Sequence, residues 1–409
     1  MLKKIGVADL RLGMHIHEFC GSWMEHPFWR ENFTLKDPED IRRIAGSGIR
    51  EVWIDVSKGL DVDRGVAAAS VEQADAMATT TLEAAIPHKE VPRAVPMAEE
   101  VQRAAKICAK SKEAVVSMFH EVRMGKAIDA EEAGALVDEI SSSVMRNPGA
   151  LISLARLKTA DDYTYMHSVA VCALMVALAQ QLDLDEKERR EAAMAGLLHD
   201  LGKALTPNEV LNKPGKLTDE EFAIMKQHPL DGHRMLAEGG AVGAIPLDVA
   251  LHHHEKMDGS GYPHGLPAEK ISLFARMGAV CDVYDAVTSN RPYKAGWGPA
   301  ESIHKMAQWQ GHFDPVVFKA FVMSVGIYPV GTLVRMHSGR LGVVIDQNAG
   351  SLVAPKVRIF FSAKSKMPIP VQVLDLADPA TDDKIVGRES PQEWGFNHID
   401  ELWSKPDVR

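Results

Sequence analysis

The chain has 409 residues, of which 46% are hydrophobic, and this apolar content is enough to build the cores of two or three domains. A disordered or fibrous protein is therefore excluded. The 46 Lys and Arg residues against 56 Asp and Glu give a net charge of −10. This charge argues against a protein that coats duplex nucleic acid or an anionic membrane through its overall field. An anionic ligand must then be bound by a local positive site.

Cysteine usage and hydropathy indicate a cytoplasmic protein without a membrane span. The longest apolar run, residues 169–179, has 11 residues, whereas about 20 are needed to cross a bilayer. The N-terminus lacks the apolar segment of a signal peptide. Neither a disulfide framework nor a thiolate zinc site is indicated, because no CxxC pair occurs among the four cysteines, Cys20, Cys108, Cys172 and Cys281.

Residues 1–60 predict a small α+β domain, with short apolar clusters around Ile16 and Ile54 and a helical interval at 37–45. One segment of this domain is crowded with aromatic residues, which form either core or a contact surface for a protein partner: Trp23, Phe28, Trp29 and Phe33. Residues 61–146 predict a linker interrupted by Pro87, Pro92 and Pro96 and then a helical lead-in.

Residues 147–326 predict a helical bundle, and 327–409 a small β extension. Helical periodicity marks the stretches 161–182, 187–201, 219–237, 246–254, 272–288 and 299–310. The stretch 272–288 and the run 169–179 are apolar almost all round, which predicts their burial. After Tyr328 the period changes from 3.6 to 2, which predicts strands at 333–336, 343–345, 357–361 and 371–374.

Histidines are concentrated in the predicted bundle, where eight of the 17 lie between residues 167 and 264: His167, His199, His228, His233, His252, His253, His254 and His264. A single buried histidine is more often satisfied by the core than by a metal. Several imidazoles that converge in one bundle are most readily satisfied by a metal. Imidazole with carboxylate and without thiolate suits Fe, Mn, Ni or Zn, and Asp200 and Asp282 supply the carboxylates.

Positive side chains and a Gly-rich turn accompany these residues. Lys203 follows the His199-Asp200 pair, and the turn at 259–261 precedes Tyr262. Arg291 and Lys294 come just after the predicted apolar helix 272–288. A basic pair in a loop is usually solvated, but beside a dimetal centre it would bind phosphate.

The order of these motifs resembles the HD-GYP domain, the bacterial cyclic di-GMP phosphodiesterase branch of the HD superfamily. The resemblance covers about residues 147–326. It rests on His167, on His199-Asp200 with Gly202-Lys203, on His228, on the string from His253-His254-Glu255 through Asp258-Gly259 to Gly261-Tyr262-Pro263, on Asp282, and on Arg291-Pro292-Tyr293-Lys294. The tail resembles the β extension that often follows this domain, and the N-terminal region is similar to an accessory domain frequently found before it.

The resemblance implies a multidomain protein whose catalytic core is a mainly α-helical HD-type bundle, and it implies a set of metal ligands. One ion would be held by His167, His199, Asp200 and Asp282, and the second by Asp200, His228, His253 and His254, with Asp200 bridging. Members with a third metal carry a Glu four residues before the first histidine. That position is Tyr163 here, so two divalent ions are expected. Iron or manganese is favoured, with nickel, cobalt or zinc as alternatives.

The resemblance also implies metal-dependent hydrolysis of cyclic di-GMP to linear pGpG, with further hydrolysis to GMP left open. Asp200 and Lys203 are the expected catalytic residues, and the expected substrate contacts are Lys203, Tyr262, Arg291 and Lys294. Glu255, Asp258 and Gly261 would support the ligands, with Glu255 orienting a neighbouring histidine. The surplus residues His233, His252 and His264 are interpreted either as structural or as supporting the metal ligands.

Two other functions stay open. The first is a weakly active or inactive cyclic-dinucleotide sensor or scaffold, which signals through protein partners at the Gly-Tyr-Pro loop or the N-terminal domain. The second is an HD phosphohydrolase that acts on nucleotides or on another cyclic dinucleotide. The complete ligand set favours the enzyme. Association into a homodimer stays open as well.

Overall fold

The computed structural model describes residues 1–20, 32–47, 49–62, 95–157, 163–213, 215, 217–240, 242–289, 296–348 and 351–405. They belong to two units, one drawn from Met1–Ala85 with His304–His312 and one from Ile86–Ile303 with Phe313–Arg409. Several residues singled out in the sequence lie outside the described ranges: Trp23, Phe28, Trp29, Pro87, Pro92, Arg291 and Lys294.

The first unit is a small α+β domain, as the sequence predicts. Its strands are β1 (Leu2–Gly6), β2 (His15–Cys20), β3 (Phe33–Thr34) and β4 (Glu51–Asp55), paired antiparallel in the order β1-β4-β2-β3. Helix α1 (Pro38–Ala45) begins after Asp37, whose side chain accepts a hydrogen bond from the Glu39 N–H. The sheet and helix enclose a core that includes Met14, Ile16 and Ile44.

The segment His304–His312 belongs to this first unit although it comes late in the chain. Trp53 Nε1 donates a hydrogen bond of 2.9 Å to Gln308 Oε1. Lys305 Nζ lies 2.9 Å from a carboxylate oxygen of Glu18. The first unit is therefore built from two separate stretches of sequence.

The second unit is mainly helical. Its helices are α2 (Met97–Arg123), α3 (Ala130–Arg146), α4 (Pro148–Arg156), α5 (Tyr163–Gln181), α6 (Glu186–Leu198), α7 (Asn208–Leu211), α8 (Asp219–Met225), α9 (His228–Gly239), α10 (Ala244–His252), α11 (Leu273–Thr288), α12 (Pro299–Ala307) and α13 (Pro315–Val325). Helix α12 ends within the segment assigned to the first unit. The run 169–179 within α5 is buried along its whole length, and α11 is buried from Met277 onward, which confirms the prediction from their apolar composition.

The helical lead-in packs into the core of the bundle. Val101 and Val115 of α2 and Leu136 of α3 share one hydrophobic cluster with Val169 of α5. Glu100, which is fully buried, joins α2 to α3 because it accepts hydrogen bonds from Arg146 at 2.7 and 2.8 Å and from Ser143 at 2.8 Å. The lead-in is therefore part of the second unit.

The stretch 219–237, predicted as one helix, is two. Helix α8 ends at Met225 and α9 begins at His228, with Pro229 in its first turn. Proline lacks an N–H and its ring clashes with the preceding turn of a helix, so it is accepted in a first turn and breaks an interior. The break places His228 at the start of a helix.

The β extension is a five-stranded antiparallel sheet. Its strands are β5 (Leu333–Met336), β6 (Arg340–Asn348), β7 (Ser351–Ser362), β8 (Met367–Asp375) and β9 (Ile385–Arg388), in the order β8-β7-β6-β5-β9. Three of them are longer than predicted, and β9 was not predicted. Short helices α14 (Pro391–Trp394) and α15 (Glu401–Ser404) follow. In the described part of the chain, no helix has both the length and the apolarity that a membrane crossing requires.

Candidate metal centre

The seven side chains predicted as metal ligands converge inside the helical bundle. They come from α5, from the end of α6, from the first residue of α9, from the end of α10 and from α11. Their ligand atoms form two groups, each with all atoms within 4.8 Å of one another: His167, His199, Asp200 and Asp282 in one, and Asp200, His228, His253 and His254 in the other. Asp200 belongs to both groups.

Backbone carbonyls fix the ring orientation of three of these histidines. The Nδ1 atoms of His199, His228 and His253 lie 2.8, 2.7 and 2.9 Å from carbonyl oxygens three or four residues earlier in the chain. A carbonyl oxygen only accepts, so each Nδ1 carries the proton and donates it. Each ring therefore presents its Nε2 to Asp200 and the other side chains of the site.

The spacing of these Nε2 atoms fits metal ligation. His228 Nε2 lies 3.4 Å from His253 Nε2 and 3.2 Å from His254 Nε2, and His199 Nε2 lies 3.3 Å from His167 Nε2. Two nitrogens bound to one ion at about 2.0–2.1 Å in a tetrahedral arrangement are roughly 3.3 Å apart. Buried lone pairs at this distance repel unless a cation lies between them, so the residues fit divalent transition-metal ions.

Asp200 faces both histidine groups from the centre of the site. Its Oδ1 lies 3.2 Å from His228 Nε2, and its Oδ2 lies 3.4 Å from the Nε2 atoms of both His167 and His199. Lys203 Nζ contacts the same Oδ2. Burial would raise the pKa of Asp200, but Lys203 and His199 hold it well below its usual range. Asp200 is therefore an ionised carboxylate that directs one oxygen to each of the two ligand groups.

Burial keeps two of the rings neutral. It lowers the pKa of His228 to about 4 and the pKa of His254 well below the ordinary histidine value. Neutral imidazole is the form that binds metals. At neutral pH both side chains are therefore ready to act as ligands without losing a proton.

Asp285 is a site residue that the sequence reasoning missed. Its Oδ2 lies 2.6 Å from His167 Nδ1, and both side chains are buried. A carboxylate behind a ligating histidine fixes the ring and raises its basicity. Burial lowers the pKa of His167, but its hydrogen bonds to Asp282 and Asp285 raise it above the ordinary value. In the sequence, Asp285 can be recognised as a second acidic residue three positions after Asp282, and this spacing places both on the same face of an apolar helix.

Glu255 supports the loop that follows the histidine run instead of a histidine ring. Its buried carboxylate accepts hydrogen bonds from the backbone N–H groups of His264 at 2.8 Å and Leu266 at 2.9 Å. These contacts hold the neighbouring His264 through its backbone, and the prediction that Glu255 orients a histidine ring stays a prediction. The carboxylate ties the end of the loop to the residue that follows His254.

The remaining loop residues lie where they can shape the turn. Gly261 packs so tightly that a Cβ would lie 2.4 Å from Lys256 N and 2.6 Å from His254 O. Asp258 Oδ1 accepts from the N–H and hydroxyl of Ser260 at 2.9 and 2.6 Å. Tyr262 stacks on His254 with ring centroids 4.5 Å apart. The close turn thus sets an aromatic ring directly against a predicted metal ligand.

Two of the predictions made from the sequence concern side chains outside the described part of the chain. Arg291 and Lys294 are among the residues left out, and Tyr163 opens α5 four positions before His167 without a described side chain. The number of ions inferred from Tyr163 and the binding of phosphate by Arg291 and Lys294 therefore stay predictions.

Comparisons with known proteins agree with this geometry. Residues 2–133 match a family described as a domain of unknown function (DUF3391), and residues 144–317 match a family described as HD domain. The chain is 56% identical over 405 residues to the cyclic di-GMP phosphodiesterase PA4108 of Pseudomonas aeruginosa, covering 99% of this chain and 96% of that protein.

Two further relatives match part of the chain. The cyclic di-GMP phosphodiesterase response regulator RpfG of Xanthomonas campestris is 42% identical over 174 residues, which cover 40% of this chain and 45% of that protein. The 3′3′-cGAMP-specific phosphodiesterase 1 of Vibrio cholerae is 36% identical over 163 residues, which cover 39% of this chain and 38% of that protein.

Proposed function

Because the chain belongs to the family of HD-domain cyclic di-GMP phosphodiesterases with an N-terminal DUF3391 domain, we propose that it hydrolyses cyclic di-GMP to linear pGpG at a centre of two divalent metal ions. The observation that carries this proposal is the pair of ligand groups that share Asp200. The N/O donor set favours iron or manganese. The cysteines in the described residues are free thiols, which supports a cytoplasmic location.

The seven ligand residues would hold the ions as their grouping suggests. His167, His199, Asp200 and Asp282 would bind the first, and Asp200 with His228, His253 and His254 the second. When bound, two such ions would supply Lewis-acid chemistry, activating a water as the nucleophile and polarising the phosphate that it attacks. Asp285 and the backbone carbonyls keep the ligand rings oriented.

Among the residues that the structure describes, Lys203 is the positive side chain best placed to act on the substrate. Its ammonium contacts Asp200, and its side chain is 19% exposed, so it lies at the edge of the site. There it would offset the negative charge that develops on the phosphate in the transition state. Arg291 and Lys294 are proposed to bind the second phosphate, and Tyr262 to contact a guanine base.

Asp200→Asn tests this function in the purified full-length protein. Product formation from cyclic di-GMP is followed by chromatography, and bound metal by elemental analysis. The wild-type chain should hold two ions and release pGpG. The variant should fall below two ions and lose more than about 100-fold in rate, since even a supporting contact to a metal ligand is worth about 10- to 100-fold.

Asp138→Asn is the matched control, because Asp138 pairs with Arg190 on an exposed helix face and should affect neither readout. Full activity with unchanged metal in Asp200→Asn would refute the proposal. A wild-type chain that binds two ions and cyclic di-GMP without turnover would favour the sensor. Faster hydrolysis of 3′3′-cGAMP than of cyclic di-GMP would reassign the substrate.

A further inference from the structure

We propose that His252 and His264 form a separate, exchangeable binding site for a divalent transition-metal ion at the surface of the Gly-Tyr-Pro loop. Neither residue belongs to the two ligand groups of the metal centre. His252 is the last residue of α10, and His264 follows Pro263 in the loop. We call these two residues the outer histidine pair.

The outer histidine pair has the geometry of a ligand pair. His252 Nε2 lies 3.4 Å from His264 Nδ1, with ring centroids 5.5 Å apart and an interplanar angle of 57°. In the metal centre, His228 and His253 have the same 3.4 Å separation and 5.5 Å centroid distance, at 45°. Both separations match the roughly 3.3 Å expected for two nitrogens on one tetrahedral ion.

A carboxylate prepares His252 for metal binding. Asp248 Oδ1 lies 2.8 Å from His252 Nδ1, and the hydroxyl of Ser272 donates to the other carboxylate oxygen. Burial would raise the pKa of Asp248, but the bonds from His252 and Ser272 lower it, so the carboxylate is ionised and accepts the Nδ1 proton. The Nε2 lone pair then points to His264, as the Asp285–His167 contact arranges in the metal centre.

The position of the pair makes the proposed site accessible. The His252 side chain is 18% exposed, and His264 is an exposed residue whose backbone is fixed by Glu255. Among the described residues, neither histidine belongs to a cluster of three or more possible metal ligands, so water would complete the coordination of an ion bound by the pair. Imidazole ligands select Zn²⁺, Ni²⁺ or Cu²⁺ over Mg²⁺ or Ca²⁺. An ion bound here would exchange readily and would clamp the loop to the end of α10.

The test counts ions bound beyond those of the metal centre. Full-length protein with its centre loaded is dialysed against increasing Zn²⁺, and total metal per chain is measured at each concentration. The wild type should take up one ion more than His264→Gln at saturation, or bind that ion at least tenfold more tightly. His264→Cys, which restores a metal ligand, should regain it. His337→Gln changes an exposed histidine in the turn between β5 and β6 and should behave as wild type.

Equal uptake by the wild type and His264→Gln would overturn the inference, and so would a wild-type total that never exceeds the content of the centre. Because the readout is the difference between two chains that keep all seven ligands, its failure would leave the proposed hydrolysis untouched. Loss of activity in Asp200→Asn would in turn say nothing about the outer histidine pair.

Discussion

At the scale of single residues, the orientation of the proposed ligand His167 is set by the carboxylate that contacts the far side of its ring. His167 lies on a helix that is apolar all round, and such a ring has no inherent preference for presenting Nδ1 or Nε2 to the site. Asp285 decides this by accepting the Nδ1 proton at 2.6 Å. The orientation of this proposed metal ligand therefore depends on a side chain outside the proposed ligand set.

Asp285→Asn should weaken metal binding while preserving the shape of the side chain. The amide cannot match the basicity that a carboxylate confers on His167, so we expect an affinity about 10- to 100-fold lower. Competition with a chelator of known affinity measures this. Ser289→Ala, which removes only a 3.4 Å contact to Asp285, is the control, and equal affinities in the two variants would contradict the assigned role.

At the scale of secondary-structure elements, the close packing of α9 against the turn that follows Asp200 requires a glycine at position 202. Gly202, in the short helical turn Leu201–Leu205, lies so close to α9 that a Cβ would be 2.0 Å from His228 O and 2.5 Å from Gly232 N. Those atoms belong to backbone and cannot rotate away. The distance between Asp200 and His228 thus depends on the absence of a side chain two residues after Asp200.

Gly202→Ala should push α9 away from the turn. We expect a loss of about 3 kcal/mol in the free energy of unfolding, at the upper end of overpacking costs, together with release of the ion that His228 ligates. Calorimetry and elemental analysis measure the two effects. Gly387→Ala, whose Cβ would meet nothing within 4 Å, should change neither, and a stable, fully metallated Gly202→Ala chain would disprove the packing argument.

The Glu100–Arg146 contact should stabilise the lead-in in a pH-dependent manner. Burial raises the pKa of Glu100, but Arg146 and Ser143 lower it below the ordinary glutamate value. A lowered native pKa adds stability that is complete above the unfolded-state pKa and is lost as pH falls through the native one. Glu100→Gln should therefore cost about 2 kcal/mol at pH 7, and less below pH ~4.

The neighbouring exposed residue provides the control for this change. Glu99 pairs with Arg103 at the surface, with 56% of its side chain exposed, so Glu99→Gln should cost less than about 0.5 kcal/mol. Denaturant titrations at pH 7 and at pH 4 measure both variants. If the loss in free energy of unfolding caused by Glu100→Gln stays constant or grows as the pH falls, the lowered pKa of Glu100 does not stabilise the native state.

The sequence allowed prediction of the buried helices α5 and α11 and the bundle between them, because an all-round apolar stretch has no other stable environment. It also allowed prediction of the ligand types that meet in that bundle. The contacts of Glu255 with backbone groups 9 and 11 residues later depend on the path of an irregular loop. The fifth strand of the small C-terminal sheet, β9, depends on pairing with β5, far earlier in the chain. A local periodicity encodes neither. The break before His228 follows from Pro229, whose missing N–H is compatible with the first turn of a helix but not with its interior.

At the scale of the whole molecule, the chain from Val95 onward contains all seven proposed metal ligands. A truncated chain should begin at Val95, because this residue is tied to the second unit by two hydrogen bonds. Its N–H donates to Arg146 O at 3.2 Å, and its carbonyl accepts from Asn147 at 3.1 Å. The lead-in helices share the core of the bundle. The catalytic unit thus has its own hydrophobic core.

A chain truncated to residues 95–409 should retain two ions and measurable hydrolysis but melt at a lower temperature. The melting point should fall because Gln308 loses its bond from Trp53 and Lys305 loses Glu18. Trp53→Phe in the full-length protein isolates the first loss, worth about 1 kcal/mol. A truncated chain that is folded but free of metal would show that the ligand geometry depends on the first unit.

The return of residues 304–312 to the first unit also constrains how such proteins can be recombined. A hybrid that takes its first 85 residues from a relative would pair a foreign sheet with a native Lys305 and Gln308. To keep these contacts, the residues at positions 18 and 53 must come from the same parent protein as their partners at positions 305 and 308. Exchanging N-terminal domains between relatives therefore calls for a two-piece graft, and covariation between the N-terminal sheet and this late segment is the evolutionary trace that it should leave.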